Sequence, residues 1–282
     1  MIRKKKSWKL ITRLVFVIII IFIMQDSTIE IENYEIEKYG LPENFEGFKI
    51  VQISDLHLPN CASDSKNILL SVEQQNPDII VITGDIIDKT ADIEKCGLAE
   101  FCKELTTICS VYAVNGNHEE QNSNAREFSR ILKENGVNFL DNEYAIIDRG
   151  GQQLSIIGLS NGVSSLPLTE NDIENIKDTY KIILEHRPDL FDIYSSKDFG
   201  IKPDLVLSGH AHGGQFIFPL IGAVYAPDQG LFPKYTSGIY KSENGATMIV
   251  SRGIGDAIVK FRFNNRRHMP VIKLQRTLSK LQ

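Results

Sequence analysis

Five short apolar runs in this chain each stop abruptly at a polar cluster, and this repeated device limits the fold more than any other feature. The clearest run is Asp78-Ile79-Ile80-Val81-Ile82-Thr83, which ends in Gly84-Asp85. Nearly unbroken apolar character suits a strand covered on both faces, as parallel strands between helices are. Phe48 to Ser54 leads in the same way into Asp55 and His57, and Val111 to Val114 into Asn115-Gly116-Asn117-His118-Glu119. Tyr180 to Leu184 leads into Glu185-His186-Arg187-Pro188, and Asp204 to Leu207 into Ser208-Gly209-His210-Ala211-His212-Gly213-Gly214-Gln215.

Helical patterns separate the early strands. Lys66 to Gln75 places Ile68, Leu69 and Val72 on one face, Ile93 to Leu105 does so with Leu98, Phe101, Cys102 and Leu105, and Ala125 to Asn135 stops at Gly136. Alternating strand and helix is the signature of an α/β sheet. Leu154 to Leu159, Thr247 to Val250 and Met269 to Leu274 have fewer helices between them, which predicts a second, more antiparallel sheet.

The first residues are a separate unit. Arg3, Lys4, Lys5, Lys6, Lys9 and Arg13 precede eleven consecutive apolar residues, Leu14 to Met24. A cationic stretch before a short apolar run is the pattern of a secretory signal, and Gln25-Asp26-Ser27-Thr28 offers no small-residue cleavage site. Residues 1–24 are therefore expected to be an uncleaved signal-anchor, with secretion after cleavage as the alternative. The polar stretch 25–46 is expected to be a linker or an edge hairpin, and 47–276 one catalytic domain. With the cations inside, that domain faces the extracytoplasmic side of the cell membrane as a single-pass protein. Without those six cations the remainder holds 25 basic against 36 acidic residues, which gives nucleic acid no electrostatic footprint. Cys61, Cys96, Cys102 and Cys109 fit no metal or redox spacing and read as free or buried thiols.

Open α/β sheets bind ligands beyond the carboxyl ends of their strands, and Asp55, His57, Asp85, Asn117, His118, His186, His210 and His212 all fall there. Five of the six histidines of the chain are among them, and His268 is read as a surface residue. Carboxylates, an amide oxygen and imidazoles together suit Mn, Fe, Zn, Co or Ni better than Ca or Mg. The set without His118 is too large for one four-coordinate ion and matches two divalent ions sharing a carboxylate. Such a pair outweighs Asp55 and Asp85 in charge, attracts a phosphate, and activates a shared hydroxide for in-line attack. The expected chemistry is hydrolysis of a phosphoester or pyrophosphate bond.

The ordered series Asp55-x-His57, Gly84-Asp85-x-x-Asp88, Gly116-Asn117-His118-Glu119, His186 and Gly209-His210-x-His212 resembles the calcineurin-like metallophosphoesterase superfamily. The resemblance runs from about Lys49 to Leu274. Gly213-Gly214-Gln215, Ser251-Arg252-Gly253-Ile254-Gly255 and the N-terminal segment look more like its bacterial membrane-associated branch, related to hydrolases of UDP-diacylglucosamine. It implies a four-layer α/β/β/α sandwich of two mixed sheets, here with an N-terminal membrane-anchor helix. It also implies that Asp55, His57 and His212 hold one metal, Asp85 bridges, and Asn117, His186 and His210 hold the other. His118 then acts as catalytic acid or charge stabiliser, Asn117 and Arg252 contact substrate, and Asp88 and Glu119 support the site, Glu119 by orienting His118. The implied substrate is a lipid-linked or envelope phosphate ester. The alternatives are a soluble-nucleotide phosphodiesterase and a noncatalytic metal-binding docking protein.

Overall fold

The computed structural model describes residues 28–61, 64–255 and 262–277, together with Lys9, Thr12, Arg13 and Phe16. Apart from those four residues, the expected anchor at 1–24 lies outside the described residues. Among the described residues no helix is long and apolar enough to cross a membrane.

Among the described residues, two six-stranded mixed sheets form the centre. The first runs β1 (Ile29–Lys38), β16 (Arg267–Arg276), β2 (Lys49–Ile53), β3 (Ile79–Thr83), β4 (Ser110–Val114) and β5 (Asn138–Phe139). The second runs β14 (Gly238–Lys241), β15 (Thr247–Val250), β9 (Leu205–Ser208), β8 (Tyr180–Leu184), β7 (Gln152–Gly158) and β6 (Glu143–Arg149). The second sheet is the more antiparallel, but only at its edges, where β14 pairs with β15 and β6 with β7; β7, β8, β9 and β15 are mutually parallel. Met269 to Leu274 belongs to β16 in the first sheet, where it is the single antiparallel neighbour of β2.

Alternation along each strand sorts side chains into layers. Ile50, Ile79 and Val81 point between the sheets, where Ile182, Leu184, Leu205 and Leu207 meet them. Val51, Ile53, Ile80 and Ile82 point outward against Ile68 and Val72 of α1 (Ser65–Gln74), Phe101 and Leu105 of α2 (Leu98–Ile108), and a further helix, Ala125–Glu134. Ile183 and Val206 point outward from the second sheet against Ile176, Phe191 and Tyr194. The order helix, sheet, sheet, helix is the expected one.

Three expectations change. Helix α2 begins at Leu98 and not at Ile93, because Gly97 has φ +87°, a left-handed backbone that a right-handed helix cannot contain. Residues 25–46 supply a strand and not just a linker: β1 pairs in parallel with β16 along its whole length, from Ile29 beside Arg267 to Lys38 beside Arg276. His268 is fully buried, not at the surface, with Nε2 3.1 Å from Glu32 of β1. All four cysteines are free thiols, three of them buried.

Candidate metal centre

The layer between the sheets turns polar at one end. Gln52 donates from Nε2 to Thr83 Oγ1 and to the carbonyl of Ser208, both at 2.9 Å, joining the sheets just below the loops that carry the site. Above that tie, Asp55, His57, Asp85, His210 and His212 all have φ between +46° and +66°. Asp and His tolerate the left-handed region better than most residues, but each such residue still costs of order 1–2 kcal/mol. Five in one place mark loops held by their surroundings.

The holding groups are identifiable. Buried Glu119 accepts from the backbone N–H groups of Asp85 (2.8 Å), Ile87 (3.0 Å) and Gly116 (2.6 Å). It thus clamps the loops after β3 and β4 and does not orient His118 as expected. Asp85 in turn accepts the N–H of His118 at 2.8 Å, and Asp55 accepts that of His210 at 3.1 Å. The loops approach so closely that a Cβ on Gly116 would collide with the Asp85 carboxylate, and one on Gly209 with Ser54 Oγ and Asp55.

These loops bring together all eight residues singled out at strand ends. Asp55, His57 and His212 form one group, with His57 Nε2 3.3 Å from His212 Nε2 and His212 Nε2 3.3 Å from Asp55 Oδ1. Asp85, His186 and His210 form another. His186 Nε2 there lies 3.3 Å from Asp85 Oδ2, 3.2 Å from Asn117 Oδ1 and 3.1 Å from His210 Nδ1. Asp85 Oδ2 stands between the groups, 4.0 Å from His57 Nε2 and 3.9 Å from His118 Nε2.

Outer contacts fix which ring nitrogens face inward. His186 Nδ1–H donates to the carbonyl of Thr83 at 2.8 Å, and His210 Nε2–H donates to Asp228 Oδ2 at 2.9 Å. With those far nitrogens engaged, His186 Nε2 and His210 Nδ1 face each other across 3.1 Å, an arrangement that calls for a cation between them, whether a proton on His186 or a metal ion. Outer partners on the far nitrogen are the usual support of metal-bound histidines. Asp228 was not apparent in the sequence, because an aspartate after a proline reads as an ordinary turn residue.

The electrostatics agree. Burial holds His57 and His210 below the ordinary imidazole value and His212 down to about 3, so these rings are neutral donors of lone pairs. Burial would also lower His186, but Asp85 and then Asp55 raise it to about 10. Burial pushes Asp55 and Asp85 upward, yet the surrounding histidines overcome it and leave both below the usual carboxylate range. The centre is thus a buried negative site that favours positive charge. These donors fit two borderline divalent cations.

The site forms the floor of a pocket of about 210 Å³, whose lining includes His57, Asp85, Asn117, His118, His210 and His212 below Phe216, Tyr225 and Pro227. His118 Nδ1 accepts the N–H of Lys89 at 3.1 Å and lies 3.5 Å from Asp88 Oδ2. Arg252 stands apart from this floor. Its guanidinium is committed to Glu30 at 2.6 Å and Glu32 at 3.4 Å, while its carbonyl accepts from Arg262 at 2.8 Å.

Residues 48–214 match the family model of the calcineurin-like phosphoesterases. The uncharacterized metallophosphoesterase YkuE of Bacillus subtilis is 29% identical over 260 residues, covering 90% of this chain and 88% of that protein. The phosphodiesterase YaeI of Escherichia coli is 24% identical over 241 residues, covering 82% and 84%. A Bos taurus transmembrane protein with a metallophosphoesterase domain is 27% identical over 263 residues, covering 87% of this chain and 57% of that protein.

Proposed function

Since the chain belongs to the calcineurin-like phosphoesterase family, a family of phosphoric ester hydrolases that work with two metal ions, we propose a division of labour among its own residues. Asp55, His57 and His212 would hold one ion, Asn117, His186 and His210 would hold the other, and Asp85, standing between the groups, would serve both. The observation that carries this reading is the pair of donor groups on either side of Asp85 Oδ2, with His118 Nε2 3.9 Å from that oxygen.

When bound, such ions would supply Lewis acidity and positive charge for phosphoester hydrolysis. The side chains do the rest. Because the Lys89 N–H occupies His118 Nδ1, the neutral His118 ring carries its proton on Nε2, the nitrogen that faces the pocket. That N–H can hydrogen-bond to a phosphoryl oxygen and stabilise the charge that develops there. The Asn117 side-chain amide has its oxygen toward His186 and completes the second group, next to where a substrate oxygen would lie. Arg252 is better assigned to support: with both acidic partners on β1, it anchors the loop preceding Gly253 and leaves substrate contact to His118 and Asn117.

The reading extends to a phosphate ester carried by a membrane or envelope compound, handled on the extracytoplasmic side. It is supported by the apolar run 14–24 behind its cations and by a relative whose name places it in a membrane. The test of catalysis is hydrolysis of bis-p-nitrophenyl phosphate by the full chain with added Mn. Wild-type turnover should far exceed that of His118→Ala and Asp85→Asn, and equal rates would defeat the enzymatic reading.

A further inference from the structure

Two hairpins follow the last site histidine, and between Gly213 and Pro233 the only charged residue is Asp228, in a chain that is 24% charged. The Asp228 carboxylate, 46% exposed, is partnered by His210 at 2.9 Å and Arg187 at 3.5 Å, so the stretch carries no unpartnered charge. One hairpin pairs β10 (Ile217–Phe218) with β11 (Gly222–Ala223), and the other pairs β12 (Tyr225–Ala226) with β13 (Gly230–Leu231). Val224 donates its N–H to the Phe216 carbonyl at 3.2 Å and accepts from the Phe232 N–H at 2.9 Å, fastening the two into one unit. Its inner side, Phe216, Tyr225 and Pro227, walls the pocket over the metal centre. On its outer side Leu220 is wholly exposed, and Ile221, Leu231 and Phe232 are each more than half exposed. Exposed apolar surface of this kind marks an interaction site for a protein or a membrane.

The path of the chain decides between them. Strand β16 is antiparallel to β2 and so begins at the end of the sheet where β2 delivers Asp55 and His57. Strand β1 is parallel to β16, with Ile29 beside Arg267, so the chain enters the fold at that same end. The residues just before β16 touch the hairpins, through Asn264 Nδ2 to the Ile217 carbonyl at 3.3 Å and the Phe263 N–H to the Gln215 carbonyl at 3.3 Å. Only residues 25–28 separate Ile29 from the apolar run 14–24. Even fully extended, that link reaches about 18 Å. An apolar segment lodged in a bilayer would therefore hold the rim of the metal centre, hairpins included, close to that bilayer.

We propose that the 216–232 unit docks on a lipid bilayer, with Leu220, Ile221, Leu231 and Phe232 entering the boundary between head groups and acyl chains. The Phe216–Tyr225 wall then leads the head group of a phosphate-bearing lipid down to the metal centre. The second part rests on the phosphoesterase reading above; the docking itself does not. Short apolar segments with aromatic residues suit the membrane boundary.

The test uses the full chain in phosphatidylcholine–phosphatidylglycerol vesicles with brominated acyl chains, with Trp8→Phe as the background so that one tryptophan reports. Leu220→Trp should lose most of its emission to the bromines. Leu70→Trp, on the exposed side of α1, should keep its emission. Equal emission from both sites would overturn docking, as would a Leu220→Trp signal that tracks dimer formation in lipid-free detergent, which would put a second copy on the patch. Turnover of bis-p-nitrophenyl phosphate by the same samples separates the two readings. Quenching without turnover retains docking and removes hydrolysis; turnover without quenching does the reverse.

Discussion

The strand-end loops and the hairpins at 216–232 meet at one pocket, yet they are built in opposite ways. The loops are buried, adopt costly left-handed conformations at Asp55, His57, Asp85, His210 and His212, and are clamped by Glu119 from within. The hairpins have strands of two residues and leave Leu220, Ile221, Leu231 and Phe232 in solvent. The contrast teaches that position and access are supplied by different parts of the chain. Metal-centre geometry has to survive thermal motion, so it sits where many contacts over-determine the backbone. A surface that meets a partner needs no such rigidity.

The contrast can be broken by substitutions on either side. The largest effect is expected from Asp85→Asn, which removes the carboxylate between the two donor groups; activity should fall by about 10²–10³-fold, the scale seen when a central charge stabiliser is lost, as read by bis-p-nitrophenyl phosphate turnover. Next is Glu119→Ala, which leaves three buried N–H groups without an acceptor. At about 1–3 kcal/mol for each such group, the thermal midpoint should drop by many degrees, and a drop of only a degree or two would mean the loops hold themselves. Asp228→Asn keeps the shape but loses the negative partner of His210, and metal affinity should weaken by about 10–100-fold in a Mn titration, with the fold intact.

A smaller effect concerns acid. The His268 contact, first, holds Glu32 down to about 2 from 4.5 despite its partial burial. A carboxylate depressed in the folded state adds stability that is present above pH 4.5 and is lost as pH falls toward 2. Burial also keeps His268 below its ordinary value, which acts in the same direction. Thermal midpoints of Glu32→Gln should therefore fall less on acidification than those of the parent; an identical acid slope would remove this pair from the account. The smallest effect is Leu220→Ser, expected to change stability by no more than about 0.5 kcal/mol in denaturant unfolding. A larger loss would mean the hairpin tip is part of the core.

The same difference in construction explains what could be read from the sequence. Buried parallel strands announce themselves by unbroken apolar runs, and the eight candidate site residues stand where those runs stop, so the sheets and the place where these side chains gather were legible. Strand β1 was not. Its apolar positions Ile29 and Ile31 pack toward the helical layer, whereas Tyr34 and Ile36 pack between the sheets, so the alternation slips at Asn33 and no single period runs through it. His268 was misread because Arg266 and Arg267 beside it suggest solvent, while its own strand turns it inward toward Glu32. The ion pairs of Arg252 are hidden for a similar reason: its partners lie more than 200 positions away in sequence, at Glu30 and Glu32. Asp228 carries no local mark that separates it from any other turn aspartate.

The parallel pairing of β1 with β16 also has a mechanical side. A pull on the chain ahead of Ile29 acts along a strand of ten residues paired in register throughout. Its hydrogen bonds lie across the strand, so such a load shears many of them together and does not peel them one at a time. The ion pairs from Arg252 to Glu30 and Glu32 sit at the end where the pull arrives, and Gly253 next to Arg252 packs against Asp55. Tension that displaced β1 would be passed through Arg252 and Gly253 to Asp55, one of the candidate metal ligands.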